Sequence, residues 1–205
     1  MTYVCMNDFR DAAELPFVIR DESAIDVAAR ERLLDAAFGP ARFAKTCERL
    51  REGRAPAQGL ALAATLGDEL VGTIRFWRIQ AGAGHAALLL GPVAVDARHR
   101  SLGIGRKLIA EGLFRAVQRG HKAVILVGDA AYYNPLGFSR AATRGLSMPG
   151  PVEDERFLGL ELDPGALSGA TGLIMPTGMR APRGIPHGLP HDLPHPQVEP
   201  LRRAA

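Results

Sequence analysis

The sequence predicts an α/β (α+β) domain, and three observations carry that prediction. The stretch Leu88 to Gly120, LLLGPVAVDARHRSLGIGRKLIAEGLFRAVQRG, reads as an apolar strand, a basic glycine-containing turn and an amphipathic helix. A strand, two helices and two further strands are read before it, and further strand patterns follow it. With 205 residues and 47% hydrophobic content, the chain can bury one core of ordinary size with residues to spare.

Residues 1–14 carry no clear period and read as a loose lead-in. Phe17 to Arg20 is a short strand, and Asp21-Glu22-Ser23 can cap the helix that follows it. From Ala24 to Phe38, Ile25, Ala28, Ala29, Leu33, Ala36 and Ala37 recur at helical spacing, and Gly39-Pro40 stops the run. A second helix is expected over Ala41 to Arg51, with Phe43, Cys47 and Leu50 on one side and Gly53 as terminator. LALAATLGDELVGTIRFWRI then places an apolar run on each side of Gly67-Asp68, a hairpin signal, and the next strand runs from Ala86 to Val95.

The helix from Ile104 to Arg119 shows a stripe of Ile104, Leu108, Leu113, Ala116 and Val117, with Gly120 as its stop. Ala123 to Val127 is a buried strand by its continuous apolar run. A turn over Asp129 to Leu136 leads to Gly137-Phe138, and Arg156 to Leu162 reads as a last strand. The domain is thus expected over residues 15–162, with 163–180 an extension packed on it. Residues 181–205 hold six of the fifteen prolines and three of the six histidines. Pro186, Pro190 and Pro194 forbid a helix that would align His187, His191 and His195, so this tract reads as a disordered tail rather than a metal site.

The net charge of +3 is small, but seven Lys or Arg fall between Asp96 and Lys122 against two acidic residues. A basic patch beside a glycine turn favours a phosphorylated small ligand. No aromatic-studded basic face supports nucleic acid as a partner. Cys5 and Cys47 suggest neither a disulfide framework nor a metal pattern, so no metal is expected. The N-terminal residues lack an apolar signal core, and no run reaches the 18 or so apolar residues of a membrane helix. The expectation is a cytoplasmic protein with no membrane partner.

Arg100 to Gly105, RSLGIG, opens the long helix, where free N–H groups and the positive end of the helix dipole make an anion site. A dinucleotide fingerprint needs a third glycine where Leu108 stands, and a P-loop needs Lys-Ser/Thr after Gly105, which is followed by Arg106-Lys107-Leu108. The loop instead fits the Arg/Gln-x-x-Gly-x-Gly/Ala pattern of acyl-CoA-dependent N-acyltransferases. Together with the strand KAVILVGD and the turn YYNPLGF, 30 residues beyond Gly103, the block resembles the GNAT superfamily of N-acetyltransferases, in a bacterial branch most of whose substrates are undefined.

The resemblance implies the acyl-CoA N-acyltransferase fold, a mixed, mostly antiparallel central sheet flanked by helices. It implies acetyl-CoA as co-substrate and transfer to a primary amine, small molecule or peptide, by direct attack through a tetrahedral intermediate. Homodimers are common in the superfamily. Val93, Ala94 and Val95 would lie on the strand whose edge binds the pantetheine arm. Arg100 and Ser101 would open the diphosphate loop, and Leu102, Gly103, Ile104, Gly105 and Arg106 would present backbone N–H groups to it. Arg98, Arg106 and Lys107 could add charge for the 3′-phosphate, and Asn134 could touch the pantetheine.

Tyr133 corresponds to the family tyrosine beside the thioester sulfur and would be the general acid. The general base is not marked, because LLLGPVAV lacks the glutamate that many members carry there. His85 is the first candidate, with Glu69, Asp96, His99 and Asp129 behind it. That gap keeps a second function open, an acyl-CoA-binding sensor or regulatory module without catalysis.

Overall fold

The computed structural model describes residues 16–181. The lead-in, Cys5 and the Pro/His tract beyond Ala181, with the expectations made for them, lie outside the described residues.

Strand β1 (Val18–Asp21) opens the fold. The Ser23 N–H and hydroxyl both donate to Asp26 Oδ2, at 2.8 and 2.9 Å, and a 3-10 turn over Ala24–Asp26 leads into helix α1 (Val27–Phe38). These bonds satisfy groups that a helix start leaves without partners.

The second helix expected over 41–51 does not form. Two 3-10 turns take its place, Pro40–Ala44 and Thr46–Leu50, broken by an extended Lys45 at ψ 141°. A helix of that length is marginal by itself, and tertiary partners favour the break. Thr46 Oγ1 donates to the Pro151 carbonyl at 2.5 Å and Arg49 to the Pro149 carbonyl at 2.6 Å. Cys47 and Leu50 enter the core, while Phe43, on their side in the helical reading, stays 43% exposed.

The sheet is built from β2 (Ala61–Leu66), β3 (Glu69–Ala81), β4 (Ala86–Val95), β5 (Ala123–Val127) and β7 (Phe157–Glu161), with the short β6 (Leu146–Ser147) and β8 (Gly172–Pro176) at its side. Its order is β1-β2-β3-β4-β5-β7, antiparallel throughout except for the β4–β5 pair. This is the mixed, mainly antiparallel architecture with flanking helices. β8 falls in the extension after residue 162 and pairs with Ile79–Ala81 of β3, beyond the stretch that β2 covers. β6 runs parallel to it. Neither was anticipated: Leu173, Ile174 and Met175 are uniformly apolar, and only Ile174 is buried, so the β3 edge rather than their own alternation specifies β8.

Helix α2 (Ile104–Gln118) covers one face of the sheet through Ile104, Leu108, Ile109 and Ala116. A Cβ on Gly112 would stand 2.4 Å from the Phe76 ring, so that glycine lets the helix lie against the sheet. Val117, assigned to the apolar stripe by period, is 47% exposed. Glycine adds nothing to a hydrophobic pattern, so the stripe through Gly112 was misplaced by about one position.

The two 3-10 turns and the segments after β5 cover the opposite face over Trp77, Ile79, Leu89 and Ile125, and helix α1 packs Leu33 and Leu34 against Ala94. A charge network ties this layer down: Glu22 accepts from Arg30 and Arg75, and Glu31 accepts from Arg30 and Arg42. Arg30 is only 2% exposed. A guanidinium buried that deeply must be paired on several sides.

Candidate active site

β4 stays with β5 for two pairs only, Leu88↔Val124 and Leu89↔Ile125. Just beyond, β4 bulges: Ile74 faces Val93 and Phe76 faces Leu90, so Arg75 opposes both Gly91 and Pro92, which are joined by a cis peptide. A bulge bends its strand and raises the local twist. From Leu90 to Val95, β4 keeps β3 on one side and has no strand on the other among the described residues. The parted strands open a cleft of about 570 Å³. Gly91, Pro92 and Val93 wall one side, Leu126 to Asp129 and Tyr133 the other, and the two 3-10 turns form the far wall.

The glycine loop begins with a 3-10 stretch, Ala97–Leu102, whose first turn is capped by Asp96, a carboxylate accepting the Arg98 N–H at 2.8 Å. Gly103, at φ 71° and ψ 9°, then turns the chain into α2. Nothing lies within 4 Å of a Cβ placed there, so Gly103 is required by its backbone conformation. Gly105 has a different reason: a Cβ would stand 2.9 Å from the Tyr132 hydroxyl. The loop thus leaves the first N–H groups of a fifteen-residue helix without intrahelical acceptors, under a tyrosine hydroxyl.

β5 is followed by helix α3 (Ala130–Tyr133), capped by an Asp129 oxygen that accepts the Ala131 N–H at 2.9 Å. Its last two residues point to two places. Tyr132 lies over the loop, and Tyr133 lines the cleft. Their rings meet edge-on with centroids 4.9 Å apart, and Tyr133 meets Phe138 in the same manner at 5.7 Å. The Tyr133 ring also packs on Gly128, where a Cβ would stand 2.4 Å from it. Burial, reinforced by the neighbouring Tyr132, pushes the Tyr133 hydroxyl up to about 12. One short helix therefore joins the start of α2 to a cleft whose β4 edge has no partner strand among the described residues.

The acetyltransferase (GNAT) family model matches residues 27–138. The N-acetyltransferase YhbS of Escherichia coli K12 is 32% identical over 158 residues, which are 77% of this chain and 94% of that protein. The N-acetyltransferase YjhQ of the same strain is 30% identical over 143 residues, 68% and 78% of the two chains. The chain belongs to the GNAT family.

Among solved structures, E. coli YhbS in complex with CoA matches with a TM-score of 0.68 at 32% identity, covering 80% of this chain and 91% of that one. A GNAT acetyltransferase from Brucella melitensis in complex with acetyl-CoA matches at 0.56 and 27% identity, covering 82% and 96%. This GNAT protein is accordingly an acyltransferase. Among its described residues no helix is long and apolar enough to cross a membrane, and no group of three His, Cys, Asp or Glu could hold a metal ion.

Within the GNAT domain, the residues singled out from sequence separate into groups. Val93 lines the cleft, Ala94 is buried against Leu33 and Leu34, and Val95 packs toward the loop glycine. Arg100, Ser101, Leu102 and Arg106 are exposed along the loop, whereas the Ile104 side chain is fully buried, so only its backbone could face a ligand there. Arg98 does not stand ready for a phosphate. Asp96 and Glu69 both accept from its guanidinium, and this pairing holds the Asp96 carboxyl down to about 2. With its nitrogen turned inward, the Asn134 amide donates to the Ala130 and Phe138 carbonyls at 3.1 Å each, which ties up the turn below Tyr133.

His85 does not reach the cleft. It sits before β4, with Nδ1 3.1 Å from the Ala166 carbonyl, some six residues or about 20 Å of strand from the bulge. Its position next to β4 in sequence says nothing about which end of the strand opens. Glu69, Asp96 and His99 are also absent from the cleft lining, whereas Asp129 is part of it. Two acids that sequence reasoning did not single out, Glu31 and Glu48, line the far wall, together with Arg42 and Arg51. Only the broken second helix turns Glu48 there, and no local pattern marks that break.

Proposed function

We propose that the protein transfers the acetyl group of acetyl-CoA to a primary amine by direct attack, through a tetrahedral intermediate. The observation that carries this reading is the α3 junction: Tyr132 over the helix-start loop, Tyr133 in the cleft, and the open β4 edge between them. The relatives that are solved with CoA or acetyl-CoA support the choice of donor. The donor brings an activated acetyl thioester, and the chain's residues place it.

Backbone N–H groups from Gly103 to Arg106 receive the diphosphate, where the helix dipole favours negative charge. The free edge of β4 from Leu90 to Val95 takes the pantetheine as an added strand would be taken. Pro92 has no N–H, so the backbone donors left at the bulge for a developing oxyanion are those of Gly91 and Val93. Tyr133 meets the departing sulfur. A hydroxyl held near 12 stays protonated, and handing its proton outright to a thiolate of ordinary affinity, about 8.5, runs uphill. Tyr133 therefore assists by donating a hydrogen bond as negative charge builds on sulfur and keeps its proton, while the departing thiolate is protonated from solvent.

The test is release of free CoA from acetyl-CoA with a panel of primary amines. Tyr133→Phe should slow turnover at least about tenfold while acetyl-CoA affinity, measured by titration calorimetry, changes little. A rate equal to that of the parent would remove Tyr133 from the chemistry. Tight binding of acetyl-CoA without turnover of any amine would favour the sensor function instead.

A further inference from the structure

Four acids line the cleft, and three of them are already engaged or exposed. Glu31 accepts from Arg30 and Arg42, and although burial pushes its carboxyl up, those bonds outweigh it and hold it low. Asp129 caps α3. The Glu153 side chain is 67% exposed. Glu48 is different. Its side chain is 24% exposed, and its ion pair among the described residues, with Arg51 Nη1, spans 3.6 Å, beyond hydrogen-bonding distance.

The surroundings of Glu48 are also incomplete. Arg51 Nε is buried with no hydrogen-bond partner, and Arg51 Nη2 lies 3.7 Å from a Cβ placed on Gly91 of the bulge. One guanidinium thus separates the Glu48 carboxylate from the place where β4 opens. Burial pushes the Glu48 carboxyl up against the opposing pull of Arg51 and Arg42, with Glu31 and Glu52 adding to the rise. A carboxylate with weak partners and raised proton affinity, facing a cleft, is disposed to take a proton.

We propose that Glu48 binds the ammonium group of the acceptor and accepts its proton, with Arg51 setting its position beside the bulge. This assignment rests on the acetyl-CoA reading and identifies the acceptor as an amine that arrives cationic from the α1 side of the sheet. Glu48 takes the proton that the ammonium loses. The freed nitrogen then forms the bond to the acetyl carbon, and the C–S electron pair leaves with sulfur as a thiolate, which accepts a hydrogen bond from Tyr133 and takes its proton from solvent.

The test needs no knowledge of the natural acceptor. S-(2-aminoethyl)-CoA carries a primary ammonium two carbons beyond the sulfur, and S-propyl-CoA is its uncharged counterpart. The parent should bind the ammonium probe at least about tenfold more tightly than S-propyl-CoA. Glu48→Gln should lose that preference while its affinity for CoA itself stays unchanged, and should turn over the amine panel at least about a hundredfold more slowly. Equal affinity for the two probes in the parent would overturn the assignment. So would a preference that survives Glu48→Gln, and one abolished by Asp129→Asn instead would give the role to Asp129. Absence of CoA binding in the parent would remove the acetyl-CoA reading itself and the assignment with it.

Discussion

At the residue scale, the two loop glycines answer to different constraints that a sequence pattern cannot separate. Gly103 adopts φ 71°, a conformation that side chains rarely take, while Gly105 makes room for the Tyr132 hydroxyl. The difference is testable with a second substitution. Gly105→Ala should lower the melting temperature, by an overpacking cost of about 1 kcal/mol, and adding Tyr132→Phe should recover it, since the next atom is Val95 Cγ2 at an ordinary 3.6 Å. Gly103→Ala should not be recovered by any change at Tyr132. If the Gly105 variant is equally destabilised in both backgrounds, the hydroxyl is not what demands a glycine there.

At the element scale, the bulge of β4 is what separates the donor edge from β5. Leu90 and Val93 face the same core with two residues between them, where a regular strand has one. Deleting Pro92 restores the ordinary alternation without moving either neighbour off its face. The expected product is a folded protein whose β4 follows β5 further and whose acetyl-CoA affinity has collapsed, as read by titration calorimetry alongside circular dichroism. Undiminished affinity would show that the parting of the strands does not depend on the extra residue. The same scale explains the lost second helix: its apolar positions were legible, but the bonds to Pro149 and Pro151 that favour two 3-10 turns come from residues some hundred positions later.

At the scale of the whole molecule, the sheet carries different layers on its two faces. α2 and its loop lie on one face, while α1 and the 3-10 turns lie on the other, bound to β3 through Glu22, Arg30 and Arg75. Removing the shared acid leaves two guanidinium groups facing each other with little solvent. Glu22→Gln should cost about 3–5 kcal/mol, the range for breaking a buried pair from one side, measured by urea unfolding. A loss below about 1 kcal/mol would mean that the network is not what holds the acceptor wall.

The strands β2, β3 and β4, the helix after Gly103 and the turn carrying Tyr133 were all legible, because each rests on local physics: apolar runs, a 3.6-residue period, glycines that must turn; the aspartate that caps the turn was not read. Those same elements form the donor half of the candidate site, which is why RSLGIG and YYNPLGF pointed to acyl-CoA. The acceptor half was not legible. Glu48, the acid proposed for it, lies in a segment whose local pattern reads as a helix, and His85, adjacent to β4 in sequence, lies at the end of the strand away from the opening. Local pattern determined the main strands and the two long helices, but not the 3-10 turns over 40–50 or the strands β6 and β8. Only the tertiary structure decided where β4 leaves β5 and which carboxylate then faces the gap, since both depend on a bulge and on distant carbonyl partners that no single segment contains.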